Sequence, residues 1–239
     1  MHQLSTPEGR FATLVGEDAS RPFVTYYDEA SGERSELSRK SLANWVAKTR
    51  NLLGDELGLG VGDTAVVALP AHWIAVPVVL GCLAAGLTVR DSGSADVAFA
   101  TPATLATTDA LDRYVVDPDR AAFGFRDDVP GGGTDYVAAV RPQGDAWAGI
   151  LLPATGDDPY TADETRAAAM TRAGARAAEL GLADGGRLLV TAGDATDAET
   201  WLHTVLVPLA IGGSVVVVRN ADAAVLDRRA EQERITARA

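Results

Sequence analysis

The sequence predicts an α/β fold of two pseudo-repeated lobes, with mainly parallel sheets covered by helices, and three observations carry that expectation. One pattern occurs twice: Glu56-Leu-Gly-Leu-Gly-Val-Gly-Asp63 precedes the apolar run Ala65-Val-Val-Ala-Leu69, and Glu179-Leu-Gly-Leu-Ala-Asp-Gly-Gly186 precedes Arg187-Leu-Leu-Val-Thr191. Each run leads through a helical stretch, Trp73 to Ala85 or Glu199 to Ile211, into Gly86-Leu-Thr-Val-Arg90 or Gly212-Gly-Ser-Val-Val-Val-Val-Arg219. Short apolar strands separated by a helix cannot form hairpins, so they pair in parallel through right-handed crossovers with both faces covered.

Taken in chain order, Phe23 to Tyr27 and Glu33 to Leu37 flank Ser31-Gly32 and predict a hairpin. Leu42, Trp45, Val46, Thr49, Leu52 and Leu53 recur at helical spacing behind Ser38, a candidate N-cap. Gly58 and Gly181 suit the left-handed residue that ends a helix. The stretch from Thr64 to Val89 is long and apolar enough to suggest a membrane span on length alone. Pro70, His72 and Pro77 interrupt it, and the matching region of the second copy carries Asp194, Asp197, Glu199 and His203. Strand, buried helix and strand are therefore expected there, and no membrane.

Ala95 to Ala100 and Arg113 to Val116 read as strands around a short helix, Ala103 to Leu111. Arg126 to Thr134, rich in Asp and Gly, marks an expected hinge between a first lobe, 1–134, and a second, 135–239. Beyond it Tyr136 to Val140 and Trp147 to Leu152 look like strands. A helix is expected to start near Ala162 behind the capping box Thr161-Ala-Asp-Glu164, with Met170, Ala173, Ala177 and Leu180 as its apolar stripe.

Composition narrows the function. The 239 residues carry 21 Lys plus Arg against 33 Asp plus Glu, a formal charge of −12 that repels phosphate backbones and anionic lipid. Nucleic acid is excluded as an expected partner. Lys40 and Lys48 are the only lysines, so nothing after position 48 supplies an ammonium to a phosphate. Cys82 is the single cysteine, set among Leu80, Gly81, Leu83 and Ala84, and reads as a small buried hydrophobe. Met1 to Arg10 shows no signal-peptide pattern, so a cytoplasmic location is expected.

Two stretches invite a nucleotide reading. Gly131-Gly-Gly-Thr134 has glycines, but Asp135 follows and neither a lysine nor a helix does; a linker is the better reading. The stretch Leu151-Leu-Pro-Ala-Thr155-Gly-Asp-Asp-Pro159-Tyr160 lies between an expected strand and an expected helix, the right place for an anion. Its content is wrong, because Asp157, Asp158, Asp163 and Glu164 set carboxylates where a triphosphate would lie and favour the helix dipole instead. Asp157 and Asp158 match no calcium or magnesium loop, so no metal ligand is assigned. His2, His72 and His203 are isolated from plausible serine partners, and no nucleophile elbow occurs. His72 either lines a crevice above the strand ending at Leu69 or is a loop residue or cap, and His203 packs beside Trp201.

Several segments resemble, in order, the opening of the AMP-dependent synthetases and ligases, such as acyl-CoA synthetases and peptide-synthetase adenylation domains. They are Val24-Thr-Tyr-Tyr27, Leu42-Ala-Asn-Trp-Val-Ala47, Gly60-Val-Gly-Asp63, Val66-Val-Ala-Leu-Pro70, Leu83-Ala-Ala-Gly86 and Val207-Pro-Leu-Ala-Ile-Gly-Gly-Ser-Val-Val-Val217. The chain is also similar to a short actinobacterial group of such relatives. The resemblance implies ATP or AMP as cofactor and an acyl or nucleotide ligand. It assigns only Thr155, Gly156 and Pro159 to the phosphate loop, with altered spacing and Tyr160 in place of the family's lysine. Ala192-Gly-Asp-Ala-Thr196 replaces the aromatic or histidine motif after the next strand. The sequence given ends before the family's magnesium ligands, its ribose aspartate and its C-terminal domain with the catalytic lysine.

These departures leave no catalytic residue to name. The expectation is a truncated, catalytically inactive synthetase-like protein that acts as a small-ligand-binding or interaction protein. The alternative is an acid-activating, ATP-dependent half-ligase completed by a separate subunit. A homo-oligomer or another protein partner is a third expectation, because a chain ending at Ala239 would expose surface that a full ligase covers.

Overall fold

A computed structural model of the chain describes residues 6–146 and 154–239. Helix α1 (Pro7–Glu17) starts where the Thr6 hydroxyl accepts the Gly9 N–H at 3.1 Å. Strands β1 (Pro22–Asp28) and β2 (Glu33–Ser38) form the expected antiparallel hairpin, with Tyr26 opposite Ser35. Helix α2 (Arg39–Asn51) is capped by Ser38, whose hydroxyl accepts the Ser41 N–H at 3.2 Å, and runs on through a π-type turn, Leu52–Glu56. Gly58 and Gly181 then take φ of 70° and 68°, the left-handed geometry that stops a helix and disfavours a side chain.

The first copy of the repeat becomes β3 (Thr64–Ala68), α3 (Ala75–Ala85) and β4 (Thr88–Arg90), with β4 parallel to β3. Strands β5 (Gly93–Ala100) and β6 (Thr108–Val115) follow. The helix expected over Ala103 to Leu111 is a single 3₁₀ turn, Leu105–Thr107, because hydroxyls compete for the backbone there. Thr104 Oγ1 donates to the Ala68 carbonyl at 2.7 Å and accepts the Thr101 N–H at 2.9 Å, after which Thr108 pairs with Gly93. Strand β7 (Thr134–Asp135) leads into α4 (Tyr136–Val140), where a strand was expected. Asp135 Oδ1 accepts the Val137 and Ala138 N–H groups at 2.8 and 3.2 Å, a cap that turns the chain into a helix. The strand expected at Trp147 to Leu152 lies outside the described residues, as does His2.

A small hairpin, β8 (Pro159–Thr161) and β9 (Glu164–Thr165), precedes α5 (Arg166–Glu179). The helix therefore begins at Arg166 and not near Ala162. Thr165, rather than Thr161, is its N-cap, and Glu164 is held in a two-pronged pair with Arg172 at 2.9 and 2.8 Å. The first turn of α5 holds no acid; Asp158 lies in the loop against that turn, its carbonyl accepting the Arg166 N–H at 2.9 Å, and Glu164 turns to Arg172.

The second copy becomes β10 (Arg187–Ala192), then α6 (Ala198–Trp201) and α7 (Val207–Ala210) joined by a π-type turn, then β11 (Ser214–Arg219) parallel to β10. Helix α8 (Ala223–Gln232) and β12 (Ala237–Arg238) close the described chain. At the entry to β11 a Cβ on Gly213 would lie 2.1 Å from the Gly186 carbonyl oxygen, so only glycine fits.

One sheet runs β4-β3-β5-β6-β7, all parallel, and the other runs β12-β10-β11-β1-β2 with only the hairpin antiparallel. The N-terminal hairpin thus joins the strands of the second half, with Val24 beside Val215. This topology crosses the expected division at residues 134 and 135. The segment expected as a hinge, Arg126 to Thr134, packs against the first sheet, where Val129 meets the cluster around Leu105 and Val115. One core lies between the sheets: Val24, Tyr26, Val215 and Val217 face it from one side, and Ala65, Val67, Val97 and Phe99 from the other. Two buried arginines tie helix ends into it. Arg39 donates to the Leu14 and Gly212 carbonyls at 2.9 and 2.8 Å. Arg166 donates to Leu83 and Leu87 at 3.0 and 3.4 Å and pairs with Glu8. Among the described residues no helix is long and apolar enough to cross a membrane.

Candidate functional site

The loop before α5 holds the residues that sequence reasoning singled out, and the structure brings Thr155, Gly156 and Pro159 together at the helix start. An anion-binding loop there needs unused backbone N–H groups pointing outward. The Thr155 N–H and the first donors of α5 are already engaged. Asp158 Oδ2 accepts the Thr155 N–H at 2.6 Å, the Asp158 carbonyl accepts the Arg166 N–H at 2.9 Å, and the Gly156 carbonyl accepts the Ala167 N–H at 2.9 Å. The next donor, Ala168 N–H, goes to the Thr165 hydroxyl at 3.2 Å.

Pro159 supplies its carbonyl to Arg166 Nε at 3.3 Å. Tyr160, expected at the position of the family's lysine, is fully buried and points into the core, where burial pushes its phenol well above the ordinary range. Arg166 sits where the loop meets the helix, but its guanidinium is turned inward and 1 % exposed. Residues fitted to a triphosphate would offer a full set of outward donors and a cation; here the Thr155 N–H and the first N–H groups of α5 are taken, and Thr155 to Tyr160 contains no cation. Lys48 is far along the chain and engaged, at 3.1 Å from the Arg141 carbonyl and 2.9 Å from Asp145. Among the described residues no group of three or more His, Cys, Asp or Glu side chains could hold a metal.

A crevice of about 240 Å³ opens at the carboxyl end of β10, where parallel sheets commonly hold ligands. Thr191, Asp197, Glu199, Thr200 and His203 line it, and Ala71, just past β3, reaches it from the other sheet. Asp197 caps α6, accepting the Thr200 N–H at 3.0 Å and its hydroxyl at 2.9 Å. His203 Nε2 accepts Arg176 Nε–H at 3.0 Å and stands 3.7 Å from Glu199. Burial lowers the His203 pKa and Glu199 opposes that shift. The crevice therefore presents hydroxyls, a neutral imidazole and two carboxylates to a ligand.

Sequence reasoning placed His203 in packing and named the run from Ala192 to Thr196 only as a lost motif. The capping pattern Asp197-Ala-Glu199-Thr200 was the signal that could have marked this wall. His72 does not line the crevice. It is 2 % exposed, its ring 4.1 Å from that of Tyr26, and its Nδ1 accepts the Ile74 N–H at 3.2 Å. Cys82 is fully buried and burial pushes its thiol up, so it is a core residue and not a nucleophile.

The chain is 38% identical over 235 residues to a Mycobacterium tuberculosis protein described as "TIGR03089 family protein", covering 93% of both. No protein-family model matches it. In fold it is similar to the acyl-CoA synthetase of Brucella canis, with a TM-score of 0.74 at 16% identity over 96% of this chain. It is also similar to the acetoacetyl-CoA synthetase from Streptomyces lividans, with a TM-score of 0.70 at 17% identity over 97% of it. The chain spans under half the length of these two enzymes, 46% and 41%, and matches their N-terminal portion.

Proposed function

Because this chain belongs to the TIGR03089 family, an acyl-CoA synthetase-like family that matches the N-terminal portion of full-length ligases, we propose that it uses the ligase scaffold to bind a small ligand without adenylating it. One observation carries this reading: every N–H at the start of α5 is occupied within the loop itself, with a carboxylate of Asp158 in the place an anion would take. Adenylyl transfer depends on donors and cations aimed at phosphoryl oxygens, an effect of several kcal/mol on the barrier. The loop from Thr155 to Tyr160 supports no such role. The crevice at Thr191, Asp197, Thr200 and His203 supports binding instead, with hydroxyls and an imidazole for a polar group and Ala71 for an apolar one.

The test is pyrophosphate exchange by the purified chain with MgATP and a panel of carboxylic acids, beside thermal shift with AMP and acyl-adenylates. No exchange, together with a shift by an acid or an adenylate that Thr200→Val weakens, is the expected result. Exchange by the chain alone overturns the proposal. Exchange that appears only with a second polypeptide supports the half-ligase.

A further inference from the structure

A second cavity, of about 420 Å³, lies at the opposite edge of the second sheet, where β1, β10 and β11 begin. Pro22, Arg187 and Ser214 are the first residues of those strands or border them directly, and all line it. The end of α8 and the turn after it, Gln232 to Thr236, form the facing wall.

The charges around this cavity are unevenly matched. Its two glutamates have their own partners. Glu233 holds Arg187 Nη2 at 2.5 Å and accepts the Tyr27 hydroxyl, while Glu36 accepts the Thr25 hydroxyl at 2.9 Å and Arg34 Nη2 at 2.8 Å. Burial works against the charge on Glu233, but Tyr27 and Arg187 outweigh it and hold the carboxyl below the ordinary glutamate value. The arginines have capacity left over. Among the described residues the Arg21 guanidinium makes one hydrogen bond, to the Gly185 carbonyl at 2.8 Å, and no ion pair. The Arg234 guanidinium has neither a hydrogen bond nor an ion pair among the described residues, and Arg187 Nε is buried without an acceptor.

Arg234 also stands in a conformation that argues for its side chain. Its φ is 52°, in the turn closed by the Ile235 N–H to the Ala230 carbonyl at 2.9 Å, the position after a helix where glycine is favoured. An arginine there accepts backbone strain and puts a guanidinium at the cavity mouth. In a chain of formal charge −12, two uncompensated guanidinium groups on one cavity form a local field of the opposite sign. Guanidinium forks match phosphate oxygens in geometry, and two of them match a phosphate dianion in charge.

We propose that this cavity binds the phosphate group of a small phosphomonoester, held between Arg21 and Arg234 with Arg187 behind. The cavity is larger than a phosphate, so an organic body fits beside it. The site is separate from the crevice at β10 and stands or falls independently of the ligand-binding reading above.

The test is thermal unfolding of the full chain titrated with sodium phosphate, ionic strength balanced with sodium chloride, and again with glycerol 3-phosphate. Saturable stabilisation beyond chloride is expected, tighter for glycerol 3-phosphate than for phosphate. Arg234→Gly gives the turn its favoured residue, so its ligand-free Tm should hold or rise while phosphate affinity falls by about tenfold. Arg21→Gln should weaken phosphate in the same way. Stabilisation no greater than chloride gives, or wild-type phosphate affinity in both variants, overturns the proposal; glycerol 3-phosphate binding more weakly than phosphate removes the organic body from it.

Discussion

His72 sits at the carboxyl end of β3 against Tyr26, and burial, helped by the charge of Arg219, lowers its pKa to about 3. The unfolded chain takes up a proton near the ordinary value of 6.5 while the folded protein does not. Stability from this residue is therefore complete above about pH 6.5 and is lost as the pH falls toward 3, up to on the order of 5 kcal/mol. His72→Asn, which keeps an acceptor for the Ile74 N–H, should flatten the acid limb of a urea-midpoint profile between pH 6.5 and 4 relative to the wild type. Arg166 makes a second case. Arg166→Ala leaves Glu8 buried without its cation and the Leu83 and Leu87 carbonyls without a donor, so a loss of about 3–5 kcal/mol is expected by urea denaturation. Glu8→Gln keeps an acceptor for Arg166 but leaves the buried guanidinium without its counter-charge, so it should destabilise too, by less than Arg166→Ala because the Leu83 and Leu87 carbonyls keep their donor. The buried nature of Cys82 was legible from its apolar neighbours. The role of Arg166 was not, because an arginine at a helix start carries no local signal that its partners lie on α1 and α3.

At the scale of elements, the repeat was legible because glycine punctuation and β-branched runs are local features. Both copies formed parallel strands around a helix, as Thr64 beside Thr88 and Leu188 beside Val215 illustrate. Two of the misread segments share one cause, polar side chains that took over backbone groups: Asp135 turned Tyr136 to Val140 into a helix, and Thr101 and Thr104 cut the helix after β5 to one turn. Glu164 differs, leaving its expected capping role for a side-chain pair with Arg172. Two glycine substitutions separate packing from propensity. Gly213→Ala drives a Cβ to 2.1 Å from the Gly186 carbonyl, where backbone meets backbone, and should destabilise by more than about 3 kcal/mol. Gly174→Ala, inside α5 with nothing within 4 Å, should stabilise by about 0.5–1 kcal/mol. Urea midpoints of the two variants check both signs.

For the whole molecule, the order of strands within each sheet was beyond sequence reading, since nothing local places β1 beside β11 across nearly the whole chain. That pairing builds the two sheets around one core and brings Ala71 of the first to the crevice at the end of β10 in the second. The candidate phosphate loop was legible in kind, as acidic and without lysine. Its chemistry became clear only with the hydrogen bonds: one carboxylate, of Asp158, holds the Thr155 N–H, while loop carbonyls and the Thr165 hydroxyl hold those of Arg166, Ala167 and Ala168. The fold of the ligases' N-terminal portion is retained, and at this loop the engaged donors support the reading proposed above. The direct test is an NMR titration of the labelled chain with MgATP, following the backbone amides of Thr155, Ala167 and Ala168. Amides already engaged within the loop should keep their shifts throughout; saturable shifts at Thr155 and Ala167 would contradict the account.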